Sequence, residues 1–391
     1  MGASLGIRLA SGSEGIGRMD GRTFRTVDGW LRTLGMIGVA AIVSSGGAEG
    51  IERSVAPGPR PPLSFRSDGQ ADDGAALVRI LSWNVKVGSL FPATLRVPIG
   101  EEPATRVGSF GRVLRAVQPD VICLQEIWPL REAGAVTQLL NAEYPLTGGR
   151  KWKIHRVADV LIASRYPYGW TRGDLVLHFP LPEMPDFHYG QAMGLIDLPD
   201  GRFARDLFLV TTHFRSRSGA ENRRLRERHA DAILERIRDL RTEGGDLEVP
   251  RRTPFVIVGD LNVYESNPDD PLRHLETLVS GRFSDPMGGV KIFAPDWDES
   301  SLVDLKPSIN GAGRSVYTWR NDGLPYPPGA LDRFLFSDSV LEVVESFVLN
   351  PSEMSKEKLN RYGLRSGDGN LGGREGEFDH LPMVADLRLR P

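Results

Sequence analysis

The 391-residue sequence predicts an α/β fold whose sheets are covered on their outer faces by helices. Three observations predict it. From Leu77 onward, short runs rich in Val, Ile, Leu and Phe alternate with turn-rich segments, the pattern of strands buried on both faces. Two stretches between such runs carry apolar residues at helical spacing instead. No internal repeat of fixed period is visible.

Taken in order, Leu77 to Trp83 reads as the first strand, closed by Asn84. Phe110, Val113, Leu114 and Val117 share one helical face, and Pro119 stops that helix because its ring has no N–H to donate and crowds the preceding turn. Val121 to Leu124 is the next strand and leads to Glu126. Cys123, the single cysteine, sits within it, so no intramolecular disulfide forms and the thiol reads as a small buried hydrophobe. Val160 to Arg165 and Leu207 to Val210 are further strands, the second leading to His213. A second helix is predicted from about Glu221 to Leu240, with Leu225, Ile233, Ile237 and Leu240 on one face and Ser218 and Glu221 spaced as a capping box. Phe255 to Val258 leads to Asp260 and Asn262, and Asp332 stands beside Phe334, Leu335 and Phe336. The polar stretch from Ser352 to Glu377 reads as a surface loop ahead of Asp379 and His380.

Hydrophobic content of 40% and charged content of 25% are ordinary for a soluble globular chain, and a net charge of -3 carries no global signature of polyanion binding. Any anion binding must be local. Residues 1–48 read as a leader: Leu34 to Val43 is apolar, Arg22, Arg25 and Arg32 precede it, and Ser44 to Ala48 are small. That order fits a secretory signal, with Met19 as a second possible start, and predicts export to the periplasm or medium; a leader that is no signal would leave the protein in the cytoplasm. The apolar stretch is too short to span a bilayer. Residues 49–75, rich in Pro, Gly and charge, read as a linker, and residues 76–391 as one catalytic domain.

Six strand ends therefore carry a carboxylate, amide or imidazole, which suggests one shared site. Ser82-Trp83-Asn84-Val85, Leu124-Gln125-Glu126, Thr212-His213-Phe214, Gly259-Asp260-Leu261-Asn262, Leu331-Asp332-Arg333 and Asp379-His380-Leu381-Pro382 together resemble the endonuclease/exonuclease/phosphatase superfamily, the deoxyribonuclease-like metal phosphoesterases. The resemblance runs from about residue 77 to 388 and matches the family in order along the chain. It implies a two-sheet sandwich, mostly antiparallel, flanked by outer helices, with the site at one edge. Ser164-Arg165-Tyr166-Pro167 is similar to the Ser-Arg-x-Pro strand end of that family.

The same resemblance implies roles. Glu126 would be the principal ligand of Mg²⁺, or Mn²⁺, assisted by Asn84 and Asp379. Asp260 would activate water, Asn262 and His213 would bind the phosphate, and His380, oriented by Asp332, would stabilise charge or move a proton. Taken singly, Glu126 reads equally well as a solvated acid, Gly-Asp-Leu-Asn as a tight turn and His213 as a structural hydrogen-bonder. Lys86 stands where some family nucleases carry an acid, which makes a second cation less secure and leaves Lys86 as a substrate contact or a solvated lysine.

Arg215 and Arg217, just after His213, are candidate grips for a DNA or RNA backbone, and the run His213-Phe214-Arg215-Ser216-Arg217 resembles the His-Phe-Lys-Ser-Lys of exported bacterial nucleases. Arg223, Arg224, Arg226 and Arg228 read first as the solvated face of the helix. A sphingomyelin- or phosphoinositide-type phosphoesterase and a non-catalytic phosphate-binding scaffold stay open as alternatives. For the former, His178 to Tyr189 and Tyr326-Pro327-Pro328 are candidate membrane contacts or specificity loops, while only the Asp332-Arg333 half of the phosphoinositide motif is present. No stable protein partner is expected.

Overall fold

A computed structural model describes residues 63–65, 76–86, 103–127, 133–178, 188–247, 249–265, 272–285, 290–312, 316–369 and 378–390. All lie in one compact unit, Pro57–Pro391; the predicted leader falls outside the described residues. The strands are β1 (Val78–Asn84), β2 (Val121–Gln125), β3 (Lys153–Val157), β4 (Val160–Ser164), β5 (Tyr168–His178), β6 (His188–Ile196), β7 (Leu207–His213), β8 (Phe255–Asp260), β9 (Val303–Leu305), β10 (Asp332–Phe336), β11 (Leu341–Val348) and β12 (Met383–Leu389). The helices are α1 (Pro103–Val117), α2 (Ala133–Glu143), α3 (Ala220–Leu240), α4 (Arg273–Ser280) and α5 (Lys356–Tyr362).

The apolar runs pair into two mixed six-stranded sheets, ordered β11-β12-β1-β2-β4-β3 and β5-β6-β7-β8-β10-β9. Each holds one parallel pair, β1 with β2 and β7 with β8, and a long connection containing α1 or α3 joins the two members of each pair. Side chains alternate in direction along a strand, so each sheet feeds two cores. Val78, Ile80, Val121, Cys123, Val256, Val258, Phe334 and Ala385 fill the layer between the sheets. Leu81, Trp83, Ile122 and Leu124 face outward onto Phe110, Val113 and Leu114 of α1, and Phe208, Val210 and Ile257 face outward onto Ile233 and Ile237 of α3. Burial on both faces is why these strands read as continuous apolar runs.

Three expectations change. The capping box is absent: α3 starts from Gly219, at φ 105, with no side-chain cap, and Ser218 offers only its carbonyl, to Asn222. The buried residues of α3 are Arg226, His229, Ala230, Asp231, Ile233, Leu234, Ile237 and Leu240, so Leu225 is not among them and Arg226, first read as solvated, is. Residues 352–369 are not a loop, since they contain α5, and the carboxylate of Asp368 takes Arg112 at 2.6 Å; 370–377 lie outside the described residues.

Within the predicted linker, Leu63–Phe65 is docked on the first sheet. Leu63 is fully buried and donates its N–H to the Ala116 carbonyl at 2.8 Å, Ser64 and the Phe65 N–H bond Glu345, and Phe65 packs edge-on to Phe347 at 4.9 Å.

Candidate active site

A strand that ends at a sheet edge fixes the side chain it ends with, and here seven ends meet at one edge of the sandwich. β1, β2, β7 and β8 arrive with their carboxyl ends, carrying Asn84, Glu126, His213 and Asp260. β4, β10 and β12 run the other way and contribute the residues at or before their starts: Asp159, Asp332, and Asp379 with His380. Register holds them level, with His213 opposite Asp260 and Asp260 opposite Asp332.

Gly259 makes the close approach of β7 and β8 possible. Its φ is 143, and a Cβ there would meet the Thr212 carbonyl oxygen at 2.0 Å. Past the strand ends the backbone is strained: Lys86, Glu126 and Asn262 have φ of 55, 60 and 50, conformations that cost about 1–3 kcal/mol each for residues with a Cβ and that concentrate at functional sites.

The side chains converge on Asp260. Asn84 Nδ2 donates to Glu126 Oε1 at 2.9 Å and to Asp260 Oδ2 at 3.0 Å. His213 Nε2 lies 3.9 Å from Glu126 Oε1 and 3.7 Å from Asp260 Oδ2, and His380 Nε2 lies 3.6 Å from Asp260 Oδ2. Ligand atoms of Glu126, His213 and Asp260 all lie within 4.8 Å of one another. Two carboxylates and an imidazole this close form a donor set that fits a divalent cation. The Asn84 oxygen is turned away, accepting the Lys86 N–H at 3.0 Å, so Asn84 organises the two acids as a donor rather than facing the cluster as an oxygen ligand. Asp379 stands at the rim, 3.6 Å from Lys86 Nζ.

Each histidine is held from behind by an aspartate of the opposite sheet. Asp332, on β10, meets His380 Nδ1 at 2.7 Å, as expected. Asp159, before β4, meets His213 Nδ1 at 2.5 Å and accepts the Gly190 N–H at 3.0 Å; it was not anticipated. In sequence it is an acid immediately ahead of the apolar run Val160–Ser164, which marks its place at a strand start but not the histidine of the other sheet that it meets.

Burial and charge set the proton affinities. Burial alone would lower both imidazoles; the charges of Asp332 and Asp260 instead carry His380 up to about 10, and those of Asp159, Asp260 and Glu126 hold His213 well above its ordinary value. Burial pushes Asp260 up to about 6, although both histidines pull it down. Burial also raises Asp379 and Asp159, while His380 overcomes burial to hold Asp332 below the usual carboxylate range. The buried edge thus combines two imidazoles whose proton affinity the neighbouring carboxylates raise with a carboxyl, Asp260, whose proton affinity burial raises.

The substrate candidates separate. Arg215 is buried, with Nε on Asn222 Oδ1 at 2.8 Å and an amino group on the Tyr189 hydroxyl at 3.1 Å, so it braces the loop instead of lining the rim. Arg217 is exposed and Lys86 borders the cluster. Arg333 is buried against Glu265 at 2.5 Å. Tyr326 is 64% exposed, on an excursion closed where Trp319 pairs with Gly329 and His380, whereas 179–187 lie outside the described residues.

Two mixed sheets with outer helices and a polar cluster at one edge define the deoxyribonuclease-like sandwich. The family model described as Endonuclease/Exonuclease/phosphatase family matches residues 81–355, more than half of the chain, and the protein belongs to that family. Among solved structures it is similar to the human Nocturnin catalytic domain with bound sulfate (14% identity, TM-score 0.47, covering 80% of this chain and 94% of that one). It is similar also to D. rerio TDP2 complexed with single-strand DNA product (17%, 0.46, 80% and 99%) and to a beta toxin from Staphylococcus aureus (18%, 0.46, 79% and 99%). No curated protein matches the sequence. Among the described residues, no helix is long and apolar enough to cross a membrane.

Proposed function

We propose that the chain is a divalent-metal-dependent hydrolase of phosphate esters, with phosphodiesters of DNA or RNA as its substrates. The observation that carries this reading is the meeting of Glu126, Asp260 and two aspartate-held histidines at one buried sheet edge. An ester phosphate repels nucleophiles because its oxygens are negative, so a catalyst must supply positive charge, an activated water and help for the leaving oxygen. A bound Mg²⁺ or Mn²⁺ would supply Lewis acidity at the phosphate. Glu126 would be its principal holder, assisted by Asp379, with Asn84 fixing the Glu126 carboxylate through Nδ2.

The protein's own groups do the rest. Asp260, raised toward neutrality by burial, takes the proton of the attacking water. His380 and His213 have their Nδ1 atoms committed to aspartates, which leaves Nε2 of each to face a phosphate oxygen, and His380 is the one that supports the leaving oxygen. Asn262 orients the phosphate, while Lys86 and Arg217 meet the flanking backbone. Arg215 is withdrawn from that role by its burial. The basic, apolar and small-residue order of the leader supports export, which N-terminal sequencing of the mature protein from the culture medium or periplasm tests; an intact leader on cytoplasmic protein would refute it.

The deciding experiment is Mg²⁺-dependent nicking of supercoiled DNA by the full-length chain, with Glu126→Gln as control. Nicking by wild type alone supports the nuclease reading. Hydrolysis only of sphingomyelin or phosphoinositide would move the substrate to lipid head groups, and phosphate binding with no turnover of any ester would refute the enzyme.

A further inference from the structure

Asn262 sits in a strained backbone conformation, and its amide is gripped at both ends. Nδ2 donates to the Phe214 carbonyl at 2.8 Å, Oδ1 accepts the Tyr264 hydroxyl at 2.8 Å, and the backbone N–H donates to Asp260 Oδ1 at 2.8 Å. An amide held this way has a fixed plane and a second N–H whose direction is set. Tyr264 also accepts the Arg217 N–H at 3.1 Å. Behind it lies Arg226 of α3, fully buried, with one amino group donating to the Arg215 and Arg217 carbonyls at 2.9 Å each and its guanidinium 5.6 Å over the Tyr264 ring.

These contacts close a ring between the loop after β7, which carries His213, and the loop after β8, which carries Asp260. A guanidinium buried on the same helix as Ala230, Ile233 and Ile237 costs more to desolvate than an aliphatic side chain of the same length. The two carbonyls it satisfies and the ring it covers account for its presence. We propose that Tyr264 and Arg226 are positioning residues: Tyr264 locks the Asn262 amide, and Arg226 holds Tyr264 and the Arg215–Arg217 backbone in the arrangement that the lock requires. The inference rests on the reading of Asn262 as a phosphate-orienting group.

The test combines kinetics with a readout that needs no turnover, all on the full-length chain. Tyr264→Phe keeps the ring and the fold but removes the hydroxyl. With Mg²⁺ and bis-para-nitrophenyl phosphate, kcat should fall about 10- to 100-fold with KM within about threefold, the scale expected when a reacting group is slightly misplaced. In the Asn262→Ala background the same change should cost nothing further, because the group it positions is gone. Arg226→Lys, which keeps a donor, should retain more kcat than Arg226→Met. Unchanged kcat in Tyr264→Phe, a rise in KM alone, or additive losses in the double variant would overturn the inference, the last two by making Tyr264 a direct substrate contact. Independently, hydrogen exchange of the Asn262 side-chain amide, followed with isotope-labelled asparagine, should speed up at least about tenfold in Tyr264→Phe. Unaltered exchange overturns the lock. Wild-type protein that turns over no phosphate ester would instead sink the phosphoesterase reading, with the lock still decided by exchange.

Discussion

The two sheets share one wiring and differ in what it delivers. In the first, β1, β2, β4 and β3 are neighbours in that order behind the antiparallel pair β11-β12; in the second, β7, β8, β10 and β9 follow the antiparallel pair β5-β6 identically. Ladder register makes Asn84 the counterpart of His213 and Gln125 the counterpart of Asp260. Yet Gln125 points inward, to Thr211 of the other sheet at 3.0 Å, and the acid of the first sheet is Glu126, one residue beyond the strand in a left-handed turn. The offset changes the environment: the Glu126 side chain is 22% exposed and that of Asp260 is 2% exposed. Solvated oxygens suit a cation that keeps its waters, whereas a buried carboxylate gains proton affinity. The scaffold is duplicated, but the chemistry is divided between its copies.

The largest effects should come from exchanging those roles. Glu126→Gln and Asp260→Asn should each lower kcat on the order of a thousandfold, with extra Mg²⁺ recovering activity only in the first, as metal titrations of both variants would reveal. Equal rescue of both would erase the division of labour. Next, His380→Ala should keep the fold and lose at least about a hundredfold in rate, and near-normal turnover would remove it from the chemistry. His213→Ala, held by the same device from the other sheet, tests whether the two aspartate-histidine pairs are equivalent: a smaller loss with raised KM marks phosphate binding, and a loss matching that of His380→Ala marks a second charge-stabilising group.

Gly259→Ala probes the tight parallel pair, with an expected loss of about 3 kcal/mol in denaturant unfolding because backbone or φ must move. A smaller effect comes from acid. Burial drives His229 and His274, on the α3 and α4 side, down to about 3, below their unfolded value. Between pH 6.5 and 3 the unfolded chain takes up protons that the folded chain refuses, so stability is full above this window and falls as pH drops. His229→Leu should flatten that decline; an unchanged slope in pH-dependent urea melts would count against a neutral buried His229. The smallest expected change is in salt dependence: Arg217→Ala should reduce the salt slope of DNA affinity by about one, and no change would take Arg217 off the nucleic-acid path.

Much of this was legible because a polar residue at the end of an apolar run advertises itself. Asn84, Glu126, His213, Asp260, Asp332 and His380 were each found that way, and the structure brings them to one edge. The aspartate behind His213 was not, since nothing local says that Asp159 reaches across to the other sheet. Nor did the shared wiring appear as a sequence repeat, because pairing order is set by long-range contacts that leave no common motif. Arg226 was legible in principle: it lies four residues before Ala230 and seven before Ile233, in phase with the buried stripe, but its charge argued for solvent. Arg215, expected at the rim, is turned inward because Tyr189 on β6 and Asn222 on α3 offer it partners that no local pattern reveals.

Cys123 stands alone in the chain and in the layer where the two sheets touch, fully buried, with its thiol pushed up by that burial. A reagent can reach that sulfur only when the sandwich parts. The unmodified protein therefore carries its own clock for the rarest of its motions: the rate at which one thiol is capped counts how often the two halves of the molecule let go of each other.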